Sequence, residues 1–381
     1  MTKLKTLIAV DMDDYIGRHR GRRQQLMSQL SLDYEIVYVD KMNSFIHSVR
    51  KHKWNVRNYL KYEIHVVSET LTFIKLPHIF LPFASSFRLI NRINCKILNY
   101  FIADFYKKLA ITKVDVLWVG HPYAGDLKLE GDLLVYDCFD EHSGFKGLLA
   151  NTAVRSIERD LILKSDLAIF SAQYLSDKKS FLSNNSLIVR NGADYDHFYV
   201  DPESSLKHDG SILYSGVISD WVDIELLEYL VVNMPSFIFR FVGPVRKNWL
   251  ESIKNYENVD IVGEVDYREL PKFYSAAAAC IIPFDPGWEL IKSTNPIKLY
   301  EYFAAGKPTV STRFDEVEKC SDIVSLADNH EGFRLGLMNS IKYNSYDKAL
   351  KRQAFARHNS WESRKDCIVS AIREIDDKAT L

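Results

Sequence analysis

Short apolar runs alternate with helical patterns along this 381-residue chain, and the alternation starts twice. Residues 5–10, KTLIAV, read as a continuous apolar strand, followed by the loop DMDDYIGRHRG, a helical pattern over 20–30 and a second strand at 35–39. Strands that are apolar throughout, without polar alternation, belong to parallel sheets covered on both faces. Further strands of this type fall at 114–119 (VDVLWV), 133–137 (LLVYD), 167–170 and 186–189, with helical patterns at 153–163 and 174–181. After the polar stretch DPESSLKHDG at 201–210 the pattern begins again, with strands at 211–215, 237–242, 259–262 and 279–283 and helices at 224–232 and 267–276. The expected fold is α/β: two Rossmann-like, doubly wound parallel-sheet domains, residues 1–200 and 211–360, joined by a linker at 201–210. Ligands of such sheets gather at the carboxyl ends of the strands.

Composition narrows the function classes. A hydrophobic content of 47% is that of a globular chain, and a formal net charge of −1 does not predict a nucleic-acid partner. The charge is unevenly spread: residues 41–110 hold twelve basic side chains against three acidic ones. There the basic run RKHKWNVRNYLKY precedes LTFIKLPHIFLPFASSFRLINRI, and cations beside large apolar groups suit an anionic membrane surface. The same residues also fit an ordinary core with a solvated edge. No window of 18 apolar residues suggests a membrane span, and the apolar run in MTKLKTLIAVDMDD is too short for a signal peptide. Five scattered cysteines without a C-x-x-C pair argue against a disulfide framework or zinc site. The expected location is cytoplasmic, peripheral on the inner face of the plasma membrane.

The densest chemistry lies in STNPIKLYEYFAAGKPTVST, residues 293–312. Asn295 is a good N-cap and Pro296 suits the first helical position, while Gly306, Lys307 and Pro308 end a helix of about ten residues. The N-terminus of such a helix, at Asn295 to Ile297, carries roughly half a positive charge and unpaired N–H groups, and Lys298 adds a full charge at the same end. Glu301 follows about 4.5 Å along the axis, so Lys298 can meet a phosphate while Glu301 accepts hydrogen bonds from ribose hydroxyls. The competing reading is a surface i,i+3 ion pair, but apolar residues cover most of this helix. Gly216 opens the loop after the strand at 211–215, where backbone can approach a phosphate closely; that loop, GVISDWVD, holds no Arg or Lys. Early in the chain, Asp14 in the DMDD cluster and Gly17 sit in a strand-end loop suited to an acceptor hydroxyl, and no ligand spacing there suggests a metal. Asp137-Cys138-Phe139-Asp140-Glu141-His142 lies just past a strand end, where acid–base groups collect.

Residues 295–312, preceded by PFDPGWELIKS, resemble the donor-site signature of GT-B glycosyltransferases, the group of the family 4 enzymes and the xanthan-type glucuronosyltransferases. Tyr136-Asp137-x-x-Asp140 resembles the YD-x-x-D segment of the glucuronosyltransferase-like and teichuronic-acid-type members, and Asn191-Gly192-x-Asp194-x-x-x-Phe198 resembles the segment by which such chains leave their first domain. The resemblance implies a GT-B fold with two domains facing a cleft and a C-terminal helix, 361–381, packing back towards the N-terminal domain. It implies a nucleotide-sugar donor, with UDP favoured, held by Gly216, Ser293, Asn295, Pro296, Ile297, Lys298 and Glu301. Asp140 is the expected base of an inverting transfer, with Asp14, Gly17, Glu141 and His142 on the acceptor side. The implied acceptor is a saccharide of surface polysaccharide synthesis, the basic, apolar segment of the first domain adds that it is lipid-linked, and neither metal nor cofactor is expected. In the family 4 pattern two glutamates are separated by seven intervening residues; Glu301 matches the second, which holds the ribose, and Ser293 stands where the first would be. A retaining family 4-type transferase, a nucleotide-sugar epimerase of the same fold and a non-catalytic sugar-nucleotide binding protein are the alternatives.

Overall fold

The computed structural model describes residues 4–11, 15, 20–44, 61–129, 131–144, 152–246 and 248–380. The chain divides into two compact units: Met1–Gly17, Arg23–Arg190 and Lys365–Leu381 form the first, Arg18–Arg22 and Asn191–Arg364 the second.

The first unit holds an eight-stranded sheet of β1 (Lys5–Val10), β2 (Tyr34–Val39), β3 (Glu63–Ser68), β4 (Leu71–Lys75), β5 (Val116–Val119), β6 (Leu133–Cys138), β7 (Leu167–Phe170) and β8 (Ser186–Ile188), in the order β3-β4-β2-β1-β5-β6-β7-β8. All neighbours are parallel except β3 and β4. Its central strands β5 and β7 are buried at every residue and β1 at all but Lys5, as continuous apolar runs require. The hairpin of β3 and β4 is absent from the sequence reading. β3, EIHVVS, is an exposed edge strand, so nothing obliges its side chains to alternate. The helix Arg88–Lys108 buries Cys95, Leu98, Phe101, Ile102 and Phe105 on one face. Its other face presents Leu89, 71% exposed, and Tyr100, 74% exposed, beside the exposed Arg92, Lys96 and Lys107. This part of the basic, apolar segment thus serves both core and surface; residues 45–60 lie outside the described residues.

The second unit has six parallel strands, β9 (Ser211–Ser215), β10 (Ile238–Val242), β11 (Val259–Gly263), β12 (Ala279–Ile282), β13 (Thr309–Thr312) and β14 (Ser325–Ala327), ordered β11-β10-β9-β12-β13-β14. The three-residue β14 is too short to show a pattern and was not expected. Residues 201–210 are not a linker: the division falls between Arg190 and Asn191, and this stretch lies within the second unit. Asp201 caps the short helix Pro202–Ser205, and the buried Lys307 donates to the Ser205 carbonyl at 2.6 Å, so its polar residues have internal partners. The C-terminal helix, Trp361–Thr380, starts in the second unit and runs into the first, where Lys365 pairs with Asp33 at 3.2 Å.

Candidate active site

In the second unit β9, β10 and β11 end together, because Ser215 pairs with Val242 and Val242 with Gly263. The loops that leave them turn on Gly216 (φ 119°), Gly243 (φ 138°) and Gly263 (φ 78°). A Cβ on Gly243 would fall 2.2 Å from the Gly216 carbonyl oxygen, so glycine is the residue that permits this stacking of backbone. The result is a cavity of about 280 Å³ whose lining includes Gly216, Gly243, Tyr274, Ile297, Lys298 and Glu301. The two charged residues singled out on the helix thus share one cavity with the glycine loop.

The helix spans Ile297–Ala304, eight residues, and buries Leu299, Tyr300, Tyr302 and Phe303. The Lys298 ammonium stands 3.9 Å from the Tyr214 ring centre and 5.0 Å from that of Phe284, cation–π distances, and directly against Gly216, whose added Cβ would lie 3.0 Å away. Burial pushes its pKa down from 10.5 to about 7, with the Glu301 charge acting the other way. Glu301 is driven up from 4.5 to about 7, chiefly by burial, against a hydrogen bond from the Tyr274 hydroxyl at 2.8 Å. Tyr274 also meets the Ser215 hydroxyl at 2.7 Å, and Tyr302 accepts from the Ser215 backbone N–H, so the carboxylate is braced against β9. Among the described residues no ion pair joins Lys298 to Glu301 and no hydrogen-bond partner meets the Lys298 ammonium, which removes the surface-pair reading. Two ionisable groups that face one cavity without neutralising each other are free to bind something else.

Other residues of the motif are placed differently from expectation. Asn295 does not cap the helix. Pro296 holds that position, without a side-chain cap, and the Asn295 amide is spent elsewhere. It accepts from the Asn191 N–H at 2.8 Å and donates to Tyr300 at 3.1 Å and Glu316 at 2.9 Å. Asn295 and Pro296 are buried beside the cavity and do not line it, whereas Ile297 does. Ser293 is fully buried at the end of a 3₁₀ turn and donates to the Leu290 carbonyl, so it does not face the cavity. Lys307 reaches Ser205 and Lys207 carbonyls instead of the last carbonyls of its own helix. Tyr274, Gly243 and Tyr267 belong to the lining and were not foreseen; the Gly243-Pro244 pair after a strand was the one visible signal.

In the first unit the carboxyl ends of three adjacent strands, β1, β5 and β6, bring Asp11, Gly120, His121 and Asp140 to one end of the sheet. Gly120 has no room for a side chain, since a Cβ would fall 2.1 Å from the Asp11 carboxylate. Asp11 pairs with Arg23 at 2.8 Å, and the Arg23 guanidinium lies 4.2 Å over the Phe139 ring. Burial raises Asp140 to about 6, the neighbouring Glu141 charge adding to the shift and the Glu141 N–H, 2.9 Å away, opposing it. Burial acts upward on Glu141 as well, but Lys179 at 3.3 Å and the Ser143 hydroxyl hold it below the ordinary value. His142 is buried with its ring centre 4.4 Å from that of His121; desolvation pushes both imidazoles well below 6.5, so both are neutral at pH 7. Among the described residues the His142 Nε2 has no hydrogen-bond partner. Asp14 and Gly17 lie outside the described residues.

The two parallel-sheet α/β units together have the GT-B fold. Residues 219–335, which include the helix with Lys298 and Glu301, match the family described as glycosyl transferases group 1. A Bacillus subtilis (strain 168) protein named as a candidate teichuronic acid biosynthesis glycosyltransferase, TuaH, is 27% identical over 208 residues. That alignment covers 49% of this chain and 52% of the relative, about half the length of each. Among solved structures, a sucrose-phosphate synthase from Thermosynechococcus elongatus superposes with a TM-score of 0.72 at 12% identity over 98% of this chain and 100% of that one. An α,α-trehalose-phosphate synthase (UDP-forming) from Burkholderia vietnamiensis gives 0.68 at 11% over 98% and 99%. Anabaena HepE, in complex with UDP and glucose, gives 0.61 at 12% over 96% and 99%.

Proposed function

We propose that this protein transfers a sugar from a nucleotide diphosphate, UDP by preference, to a saccharide acceptor with inversion at the anomeric carbon. One observation carries the donor half: Lys298 and Glu301 line one cavity with the positive-φ Gly216 and do not pair with each other. In the transfer the acceptor oxygen bonds to the anomeric carbon as the bond from that carbon to the diphosphate oxygen breaks. Negative charge then grows on the diphosphate, where the Lys298 ammonium and the first N–H groups of the helix Ile297–Ala304 stabilise it without a metal ion. Glu301, braced by Tyr274, accepts from the ribose hydroxyls. Asp140 takes the acceptor proton, its raised pKa suiting a base that works near neutral pH, with Glu141 and His142 beside it. Inversion is favoured over a retaining family 4-type course because Ser293 stands where that pattern has its first glutamate and its hydroxyl is already bonded to Leu290.

A lipid-linked acceptor and an anionic membrane surface fit the outward face of the helix Arg88–Lys108, with its exposed Leu89, Tyr100, Arg92 and Lys96. Among the described residues no helix is long and apolar enough to cross a membrane. The name of the Bacillus relative supports a role in cell-surface polymer synthesis. The donor assignment is tested by thermal shift with UDP-, GDP- and dTDP-sugars. At a hundredfold excess over Kd a bound ligand adds about 2.7 kcal/mol of stability. The shift with a UDP-sugar should be lost in Lys298→Ala; a shift of the same size in that variant refutes the assignment.

A further inference from the structure

The loop after β9, residues 216–223, contains no basic residue, and among the described residues Lys298 is the cation that the carboxyl-terminal half of the chain brings to the cavity lining. The cavity nonetheless has a second cation in its lining, and it comes from the other end of the sequence. Arg20 and Gly21 line it together with Gly216 and Lys298, and residues Arg18–Arg22 group with the second unit while the chain on either side groups with the first. The excursion is anchored. Arg22 is buried and donates to the Asn191 side chain at 3.2 Å, within the same unit.

Arg20 itself rests on a rigid platform. Its guanidinium carbon is 5.8 Å from the Tyr267 ring centre, and Tyr267 also lines the cavity. The Tyr267 ring stacks on His197 at 4.4 Å with planes 8° apart, and its hydroxyl donates to Asp194 at 3.2 Å. Among the described residues Arg20 makes no ion pair, and Arg20 and Lys298 are the basic side chains of the lining, against Glu301 as its acid. An aromatic face holds a guanidinium while leaving its N–H edge free, the edge that reads phosphate oxygens in pairs.

We propose that Arg20 is a second phosphate-binding residue of the donor cavity, supplying from the amino-terminal loop the charge that the loop 216–223 lacks. The inference rests on the donor reading of this cavity and extends it to a residue that the matched segment, 219–335, does not contain. Arg20 grips the diphosphate beside Lys298, so it contributes to affinity for the phosphates and not for the nucleoside.

The test measures binding of UDP and of uridine to the full chain and to its Arg20→Gln, Arg20→Lys and Lys298→Ala variants by titration calorimetry. Removing one charge-assisted hydrogen bond to a phosphate weakens UDP binding by about ten- to a hundredfold. Arg20→Gln should show that loss with uridine affinity unchanged, the deficit should shrink at high salt, and Arg20→Lys should recover part of it. UDP affinity at the parent value in Arg20→Gln, with Lys298→Ala still impaired, overturns the role of Arg20 and leaves the donor site standing. Equal loss of UDP and uridine also overturns it, because the residue would then act on the base or on local folding. If the parent chain binds none of UDP, GDP and dTDP, the donor reading fails and this inference falls with it.

Discussion

Lys298 and Glu301 both titrate near pH 7 in the free protein, which makes donor binding a proton-linked event with opposite signs on the two sides of neutrality. Above about pH 7 the free lysine is neutral, and a diphosphate that needs its charge must draw a proton from solvent on binding. Affinity then falls as pH rises, by up to about tenfold per unit or 1.4 kcal/mol, until the raised pKa of the bound lysine is reached. Below about pH 7 the free Glu301 is protonated, and ribose hydroxyls that need an acceptor must expel that proton, so affinity falls again as pH drops. The expected profile is an optimum near pH 7 with about one proton taken up per ligand at pH 8.5 and about one released at pH 5.5. UDP-glucose is the probe of choice, because its phosphates do not titrate in this range, and an arginine side chain keeps its charge across it. Calorimetry in buffers of different ionisation enthalpy reads the proton count directly. Glu301→Gln should abolish the acid release and leave the alkaline uptake in place. A net proton exchange of zero from pH 5.5 to 8.5, with constant affinity, would refute the claim that these two groups hold the donor.

Two further outcomes follow from the first unit. Asp140→Asn should lower the transfer rate by about 10²–10⁴-fold while leaving UDP-sugar affinity at the parent value, and parent kcat/KM should climb as pH passes about 6 and the Asp140 carboxyl ionises; a fully active variant removes Asp140 as the base. The purified chain should co-sediment with anionic vesicles at low salt, and replacing both Arg92 and Lys96 by alanine should cut the partition by about tenfold or more, at about 1 kcal/mol per cation near the surface; failure of the parent to sediment rejects the membrane-facing role of the helix Arg88–Lys108.

What the sequence alone determined is what local periodicity can carry. The period-free apolar strands and the helices between them define two parallel sheets, since burial on both faces forces that pattern within six residues of chain. The strand ends then marked Gly216 and Asp140 as residues at ligand-binding positions, and the three-residue step from Lys298 to Glu301 put both on one short helix. Contacts between residues far apart in the chain were not legible, because no spacing rule links them. Asn295 looks like an N-cap by its own neighbours, yet it answers to Asn191, more than a hundred residues earlier, and Lys307 answers to a carbonyl of the supposed linker. The exposed edge strand β3 lacked the alternation that burial would have imposed. Only the tertiary structure brings Arg20 into a cavity of the second unit, and only it strips water from Lys298 and Glu301 and moves both towards neutral pH. Desolvation depends on what surrounds a group in space, and that information is distributed over the whole fold.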